Sequence, residues 1–183
     1  MKALVRKEKV LLNTYPYSDP SPVPEFGRMY PYNRWDGYTT KGVPASWEMV
    51  VLENRHIKVW ICPAAGGKVW GAVEKSTGRE FIYFNHAAKF RDVAMRGPWT
   101  SGGIEFNVGI LGHSLSCAAP VDYHTCENSD GSVSCFIGAT DWPSRTRWFV
   151  EVYLPEDAAW FRTRTCWYNN SGVDQAYYSW SNA

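Results

Sequence analysis

From Ser46 onward the chain is a succession of short apolar runs broken by small polar turns. "SWEMVVLENRHIKVWICP" holds two such runs around the turn-like "ENRH", and "GGKVWGAVEKSTGREFIYF" holds two more around "KSTG". Further on, "PVDYHTCENSDGSVSCFIGATD" turns at "NSDG", and "RTRWFVEVYLPEDAAWFRTRTCWYNNSG" and "QAYYSWSNA" follow. Runs of this length, rich in Val, Ile, Tyr, Phe and Trp and bounded by Asn, Asp, Ser and Gly, predict β-strands. "NHAAKFRDVAMRG" is the best helix candidate, and it is short. Without helices between the strands a βαβ fold is excluded, and the pattern predicts an all-β fold, an antiparallel β-sandwich or a pair of open sheets.

Residues 1–45 have a different texture. "YPYSDPSPVPEFGRMYPYNRWDGYTTKGVP" is dense in Pro, Gly, Asp and Tyr, which punctuate elements rather than build them. The expected division is an irregular, aromatic- and Pro-rich segment over 1–45, with some strand, packing on a sandwich formed by 46–183. At the other end "YYSWSNA" reads as a strand in progress, the pattern of a domain cropped from a longer protein.

One stretch has more chemistry than a structural strand needs: "RGPWTSGGIEFNVGILGHS", Arg96 to Ser114. If 99–107 is extended, Trp99, Ser101, Gly103, Glu105 and Asn107 share one face, and Thr100, Gly102, Ile104 and Phe106 share the other. The second face ends like core. The first is a lined cleft in outline: a flat aromatic, a gap at glycine where a ligand can approach the backbone, then a carboxylate and an amide.

Composition narrows the partners. Among 183 residues, 19 Lys plus Arg balance 18 Asp plus Glu, and no basic stripe appears, which argues against nucleic acid. Aromatics reach 16 %, with ten Trp and eleven Tyr, side chains suited both to sheet cores and to ligand platforms. The N-terminus starts like a signal peptide, but Arg6, Lys7, Glu8 and Lys9 break its apolar runs. No apolar run of about 18 residues predicts a membrane span. Five cysteines at wide spacing, without a Cys-x-x-Cys pair, predict reduced strand thiols and a cytoplasmic compartment. Four histidines without His-x-His or His-x-x-x-His spacing predict no metal site, and nothing calls for a cofactor.

The stretch "CPAAGGKVWGAVEKSTGREFIYFN" resembles the opening of the galactose mutarotase-like superfamily. Taken with "RGPWTSGGIEFN", "GHS", "PVDY", "ENSDGS" and "YYSWSNA", residues 46–183 resemble an uncharacterised bacterial family. Its members often carry tetratricopeptide repeats after a β-sandwich domain of this kind. The resemblance implies a β-supersandwich whose concave sheet binds a sugar, with a C-terminal repeat region or a second copy of the chain as further partners. In mutarotases a histidine acid and a glutamate base open and close the pyranose ring, which requires proton transfer at the ring oxygen and the anomeric hydroxyl. In "YYSWSN", Tyr178 stands at the place of that histidine, and the family's glutamate lies beyond residue 183. Sugar binding is therefore implied, rather than mutarotation by that pair.

Glu105 is the candidate acid or base and His113 its proton-transfer partner; their plainer alternatives are an ion-paired strand carboxylate and a hydrogen-bonded loop histidine. Arg96, with its planar fork, and Asn107 are candidates for sugar hydroxyls, and Trp99 and Trp180 for stacking on the ring face. Tyr178 joins them through the resemblance. Asp122 and Asp141 are the carboxylates available to pair with Glu105 if the reaction is glycoside hydrolysis. His56, His86 and His124 carry no distinguishing signal. Arg145 with Arg147, and Arg162 with Arg164, alternate as on a solvated or cleft-facing strand face. The expected function is a carbohydrate-active domain, a glycoside hydrolase or epimerase-like enzyme working through Glu105. The alternative is a non-catalytic carbohydrate-binding module.

Overall fold

The computed structural model describes residues 2–16, 39–92, 98–109, 113–141 and 144–183. The chain is all-β and sandwich-like, with two short 3-10 turns, Pro63–Ala65 and Leu115–Ala118, as its only helical pieces among the described residues. The strands are β1 (Leu4–Thr14), β2 (Val43–Glu53), β3 (Ile57–Cys62), β4 (Lys68–Glu74), β5 (Arg79–Ile82), β6 (Ala87–Ala88) and β7 (Arg91–Asp92). They continue with β8 (Pro98–Trp99), β9 (Glu105–Gly109), β10 (Asp122–Glu127), β11 (Val133–Asp141), β12 (Thr146–Leu154), β13 (Arg162–Tyr168) and β14 (Tyr178–Asn182). A six-stranded sheet runs β5-β4-β3-β2-β1-β6 and a four-stranded sheet β10-β11-β12-β13; β14 pairs with β9, and β7 with β8. Pairing is antiparallel except for the two-residue contact of β1 with β6. Among the described residues no helix is long and apolar enough to cross a membrane.

Alternation along the strands builds the core. On β12, Trp148, Val150, Val152 and Leu154 are buried, and the residues between them face outward. They meet Val133, Cys135 and Ile137 of β11, and across the sandwich Val50, Leu52, Val59, Ile61 and Val69 of the larger sheet. The larger sheet is covered on its other face too, by a second cluster that includes Leu12, Met49, Cys62, Trp70 and Phe90. Burial on both faces explains why "MVVL" and "VWIC" are unbroken apolar runs rather than alternating ones.

The strand within residues 1–45 is β1, which pairs with β2 along its whole length, from Leu4 opposite Glu53 to Thr14 opposite Val43. The division at residue 45 falls inside β2; within this region, residues 17–38 lie outside the described residues. The helix candidate is extended where it is described, as β6 and β7. Ala88 and Phe90, two residues apart, are both fully buried in the second cluster, and Tyr15 N–H donates to the Ala88 carbonyl at 2.9 Å. A spacing of two and a bond to a neighbouring strand favour extended chain over a helical turn.

Candidate functional site

Every residue of β9 is buried. Phe106 and Val108 enter the sandwich core, which turns Glu105 and Asn107 to the other face. In β14, Asn182 stands opposite Glu105, Trp180 opposite Asn107 and Tyr178 opposite Gly109. Directly opposed residues share a face, so one short antiparallel pair gathers Glu105, Asn107, Trp180 and Asn182.

Glu105 is 4 % exposed. Its Oε1 accepts from Asn107 Nδ2 at 2.5 Å and lies 2.6 Å from His113 Nδ1. In that contact the imidazole donates to a carboxylate or accepts from a carboxylic acid, according to its tautomer. Among the described residues Oε2 has no hydrogen-bond partner. Asn107 is itself held: its Oδ1 accepts from Ser114 N–H at 3.0 Å and from the Cys117 thiol at 3.2 Å. That fixes the amide so that its NH2 faces the carboxylate. Burial pushes the Cys117 thiol up to about 12, so it serves as a neutral donor. Trp180 meets the His113 ring edge-on, with centroids 5.5 Å apart, and Tyr178 packs edge-on against Trp180 at 5.0 Å.

Glu105 borders a cleft of about 370 Å³ shared with Lys68, Tyr83, Trp99, Thr100 and Asn182. Trp99 and Glu105 thus do meet in one concavity, but not as neighbours on one strand. β8 ends at Trp99, the chain bends through Ser101–Gly103, and β9 begins at Glu105. The bend exists because Gly103 passes hard against β4: a Cβ there would lie 2.1 Å from the Val69 carbonyl oxygen, and its φ is +65°. Gly103 thus admits the backbone of β4 to close quarters, while Gly102, against the Tyr83 ring, and Gly103 both border the cleft. Ile104 and Val69 exchange both backbone bonds at 2.7 and 3.1 Å and lock the crossing.

Asn107 lies behind the cleft wall as a positioning residue for Glu105, and His113 bonds Glu105 directly. Tyr178 is exposed and Trp180 half-buried. Arg96 lies outside the described residues. Neither proposed second carboxylate reaches this cleft. Asp141 is buried on Ser144, which donates its hydroxyl at 2.5 Å and its N–H at 3.2 Å. Asp122 borders a separate groove of about 720 Å³ on the outward face of β10–β13, where Phe136, Phe149 and Tyr168 form an aromatic strip beside His124 and Arg147. Arg145 is in a turn at φ +56°, off the strand face that Arg147 occupies. Among the described residues no group of His, Cys, Asp and Glu is placed to hold a metal.

Sequence reasoning missed Lys68 and the exposed ring of Tyr83. The one available signal for Lys68 was a cation heading an otherwise apolar strand, "GGKVWGAV".

Residues 24–183 match the family model described as "Domain of unknown function (DUF5107)". The chain belongs to the DUF5107 family. Among solved structures, this DUF5107 domain is similar to a TPR-domain containing protein from Parabacteroides distasonis, at 24 % identity and a TM-score of 0.85. The match covers 98 % of this chain and 32 % of that one, so the chain spans about a third of that protein's length. Both findings accord with the expectation of an uncharacterised domain shared with TPR-containing proteins.

Proposed function

We propose that this DUF5107 domain is carbohydrate-active: it binds a sugar in the cleft beside β9, and Glu105 exchanges a proton with the bound sugar. The observation that carries this reading is the division of labour within one carboxyl group. His113 and Asn107 pin Oε1, while among the described residues Oε2 has no hydrogen-bond partner at a cleft wall. A carboxyl held rigidly by one oxygen and offered by the other suits general acid–base work. Trp99 and Tyr83 supply flat apolar faces for a pyranose ring, and Asn182 a hydroxyl partner, at the same cleft. The resemblance to galactose mutarotases adds a chemical precedent for sugar ring proton transfer on such a sandwich.

Within that reading an epimerase-like reaction is favoured over glycoside hydrolysis. A glycosidase needs two carboxyl groups flanking the scissile bond, and among the described residues Glu105 is the one carboxylate side chain at this cleft. The second reading, a non-catalytic carbohydrate-binding module, is supported by the aromatic strip of Phe136, Phe149 and Tyr168 on the opposite sheet.

The test is a panel of mono- and disaccharides screened by thermal shift and by NMR-monitored turnover, on wild type and Glu105→Gln. An enzyme loses about 10²–10⁴-fold in turnover while affinity holds within roughly threefold. A binding module shows affinity and no turnover in either form. Absence of binding to every sugar refutes both.

A further inference from the structure

The cleft holds a second reactive group that the reading above does not use. Lys68 opens β4 and is 4 % exposed, the one buried lysine among the described residues. Its burial comes from the Gly103 crossing, which passes so near that a Cβ there would lie 3.1 Å from Lys68 Cε. Other lysines are held as counter-ions: Lys7, Lys58 and Lys75 each meet a carboxylate at 2.6–2.9 Å. Lys68 is held differently. Its Nζ donates once, to the Thr100 carbonyl at 2.5 Å, and among the described residues it has no ion-pair partner.

An ammonium has three protons to place, and a buried one with a single acceptor is poorly satisfied. Thr100 Oγ1, at the same cleft wall, is likewise buried with no hydrogen-bond partner among the described residues. The Trp70 ring also faces the charge, with its centroid 6.0 Å from Nζ. Burial pushes Lys68 down to about 8, opposed by the negative charge of Glu105. The neighbouring Cys62 and Cys117 thiols, each pushed up to about 12 by burial, stay neutral. What remains is an amine at a cleft wall, with open valences, beside a carboxyl whose Oε2 is also open.

We propose that Lys68 is a carbonyl-capturing amine, which forms a Schiff base with the aldehyde or ketone of an open-chain sugar held in the cleft. The substrate class rests on the sugar-site reading above. The neutral Nζ adds its lone pair to the carbonyl carbon. The nitrogen passes one proton by way of solvent water to Glu105 Oε2, which is near enough to act on the Lys68 charge but does not ion-pair with it, and the oxygen takes up one proton from solvent, giving a carbinolamine. Glu105 returns its proton to the departing hydroxyl, which leaves as water, and the nitrogen lone pair closes the C=N bond. The net change is amine plus carbonyl plus one proton to iminium plus water, with no oxidant or reductant consumed. In Lys68 the site thus has an electron sink that Glu105 alone lacks.

The experiment treats the full chain with D-glyceraldehyde at pH 8 in the presence of sodium cyanoborohydride, which reduces an imine to a stable amine. Peptide mapping follows the modification of each lysine with time. The expected result is Lys68 modified roughly tenfold or more faster than Lys58 or Lys75, because a lysine near 8 is about half neutral at this pH and an ordinary one hardly at all. Glu105→Gln slows the Lys68 reaction, and a sugar that binds in the panel above, offered as its methyl glycoside so that its ring cannot open, protects Lys68. Modification of Lys68 no faster than the exposed lysines overturns the proposal, and because this is read on wild type it needs no variant to fold. Sugar binding without Lys68 capture leaves the sugar site standing and removes the amine chemistry. Fast capture with no binding of any sugar in the panel, and no protection, removes the sugar as its substrate.

Discussion

His113 and Glu105 are joined by a 2.6 Å hydrogen bond between Nδ1 and Oε1, although they come from different elements: Glu105 heads β9 and His113 precedes the turn Leu115–Ala118. That turn is brought into place by the Pro63–Ala65 turn between β3 and β4. Gly66 N–H donates to the Ala119 carbonyl and Val121 N–H to the Pro63 carbonyl, each at 2.9 Å. Gly66 is at φ +69°, and a Cβ on it would lie 2.8 Å from Ser116 O and Cys117 Cα. The "AAGGK" turn therefore does two things at once: it seats the segment that carries His113, and it starts the strand that carries Lys68.

Removing Asn107 should loosen Glu105. Asn107→Ala strips the buried carboxylate of one donor and leaves the Ser114 N–H without its acceptor. The expected cost is about 1–3 kcal/mol in urea-induced unfolding. Any sugar turnover should fall as well, through kcat rather than KM, because Asn107 positions Glu105 and does not border the cleft. An unchanged midpoint would mean that the pair is not held as described.

Two glycines with the same handedness of backbone should respond very differently. Gly103→Ala adds a Cβ 2.1 Å from the Val69 carbonyl, so the crossing over Lys68 must open, at a cost expected above about 3 kcal/mol. Gly78→Ala at φ +71° meets nothing within 4 Å and should cost only the left-handed conformation, about 1–2 kcal/mol. Equal losses in thermal unfolding would contradict the close approach.

Lys68 should leave a mark on stability above neutral pH. Its folded pKa, about 8, lies below the ordinary 10.5, so between those values the unfolded chain binds more protons than the folded one. Stability from this group therefore rises with pH through that window, and the penalty of burying the charge is fully present below it. The gain is on the order of 3 kcal/mol at most. The measurement is the unfolding free energy of wild type minus that of Lys68→Met from pH 7.5 to 10.5, a difference in which the titration of the thiols cancels. A flat difference would show that Lys68 keeps an ordinary pKa.

The five free cysteines should divide by accessibility. Cys62, Cys117 and Cys135 are buried, while Cys126 and Cys166 are half-buried. Burial also raises each of the first three to about 12. A chromogenic disulfide reagent should react with two thiols in the folded protein and with all five only after denaturation. Early reaction of a third would place one of the buried strands nearer the surface than the sandwich allows.

Much of the architecture was legible in the chain. "TRWFVEVYL" alternates so regularly that β12 and its buried face follow from it directly, and "NSDG" marks the β10–β11 turn because those residues favour tight backbone. The strand character of "IEFN" and the neighbourhood of Glu105 and His113 were legible too, since both sit within one short polar-aromatic stretch. Periodicity reports that one face of a strand is buried; it does not report what covers that face. That is why the charges scattered along "LVRKEKVLLNT" hide the length of β1, which its pairing with β2 along eleven residues settles. It is also why alternation, which places Trp99 to Asn107 only if that stretch is extended, cannot supply the bend: the contact that makes it, Gly103 against Val69, joins positions 34 residues apart. The same crossing turns Lys68 from an ordinary strand residue into a buried amine beside Glu105. Local order came from side-chain alternation and turn chemistry, which are properties of neighbours in the chain. The site came from a backbone crossing, and its energy depends on burial and hydrogen bonds between groups that only the folded sandwich brings together.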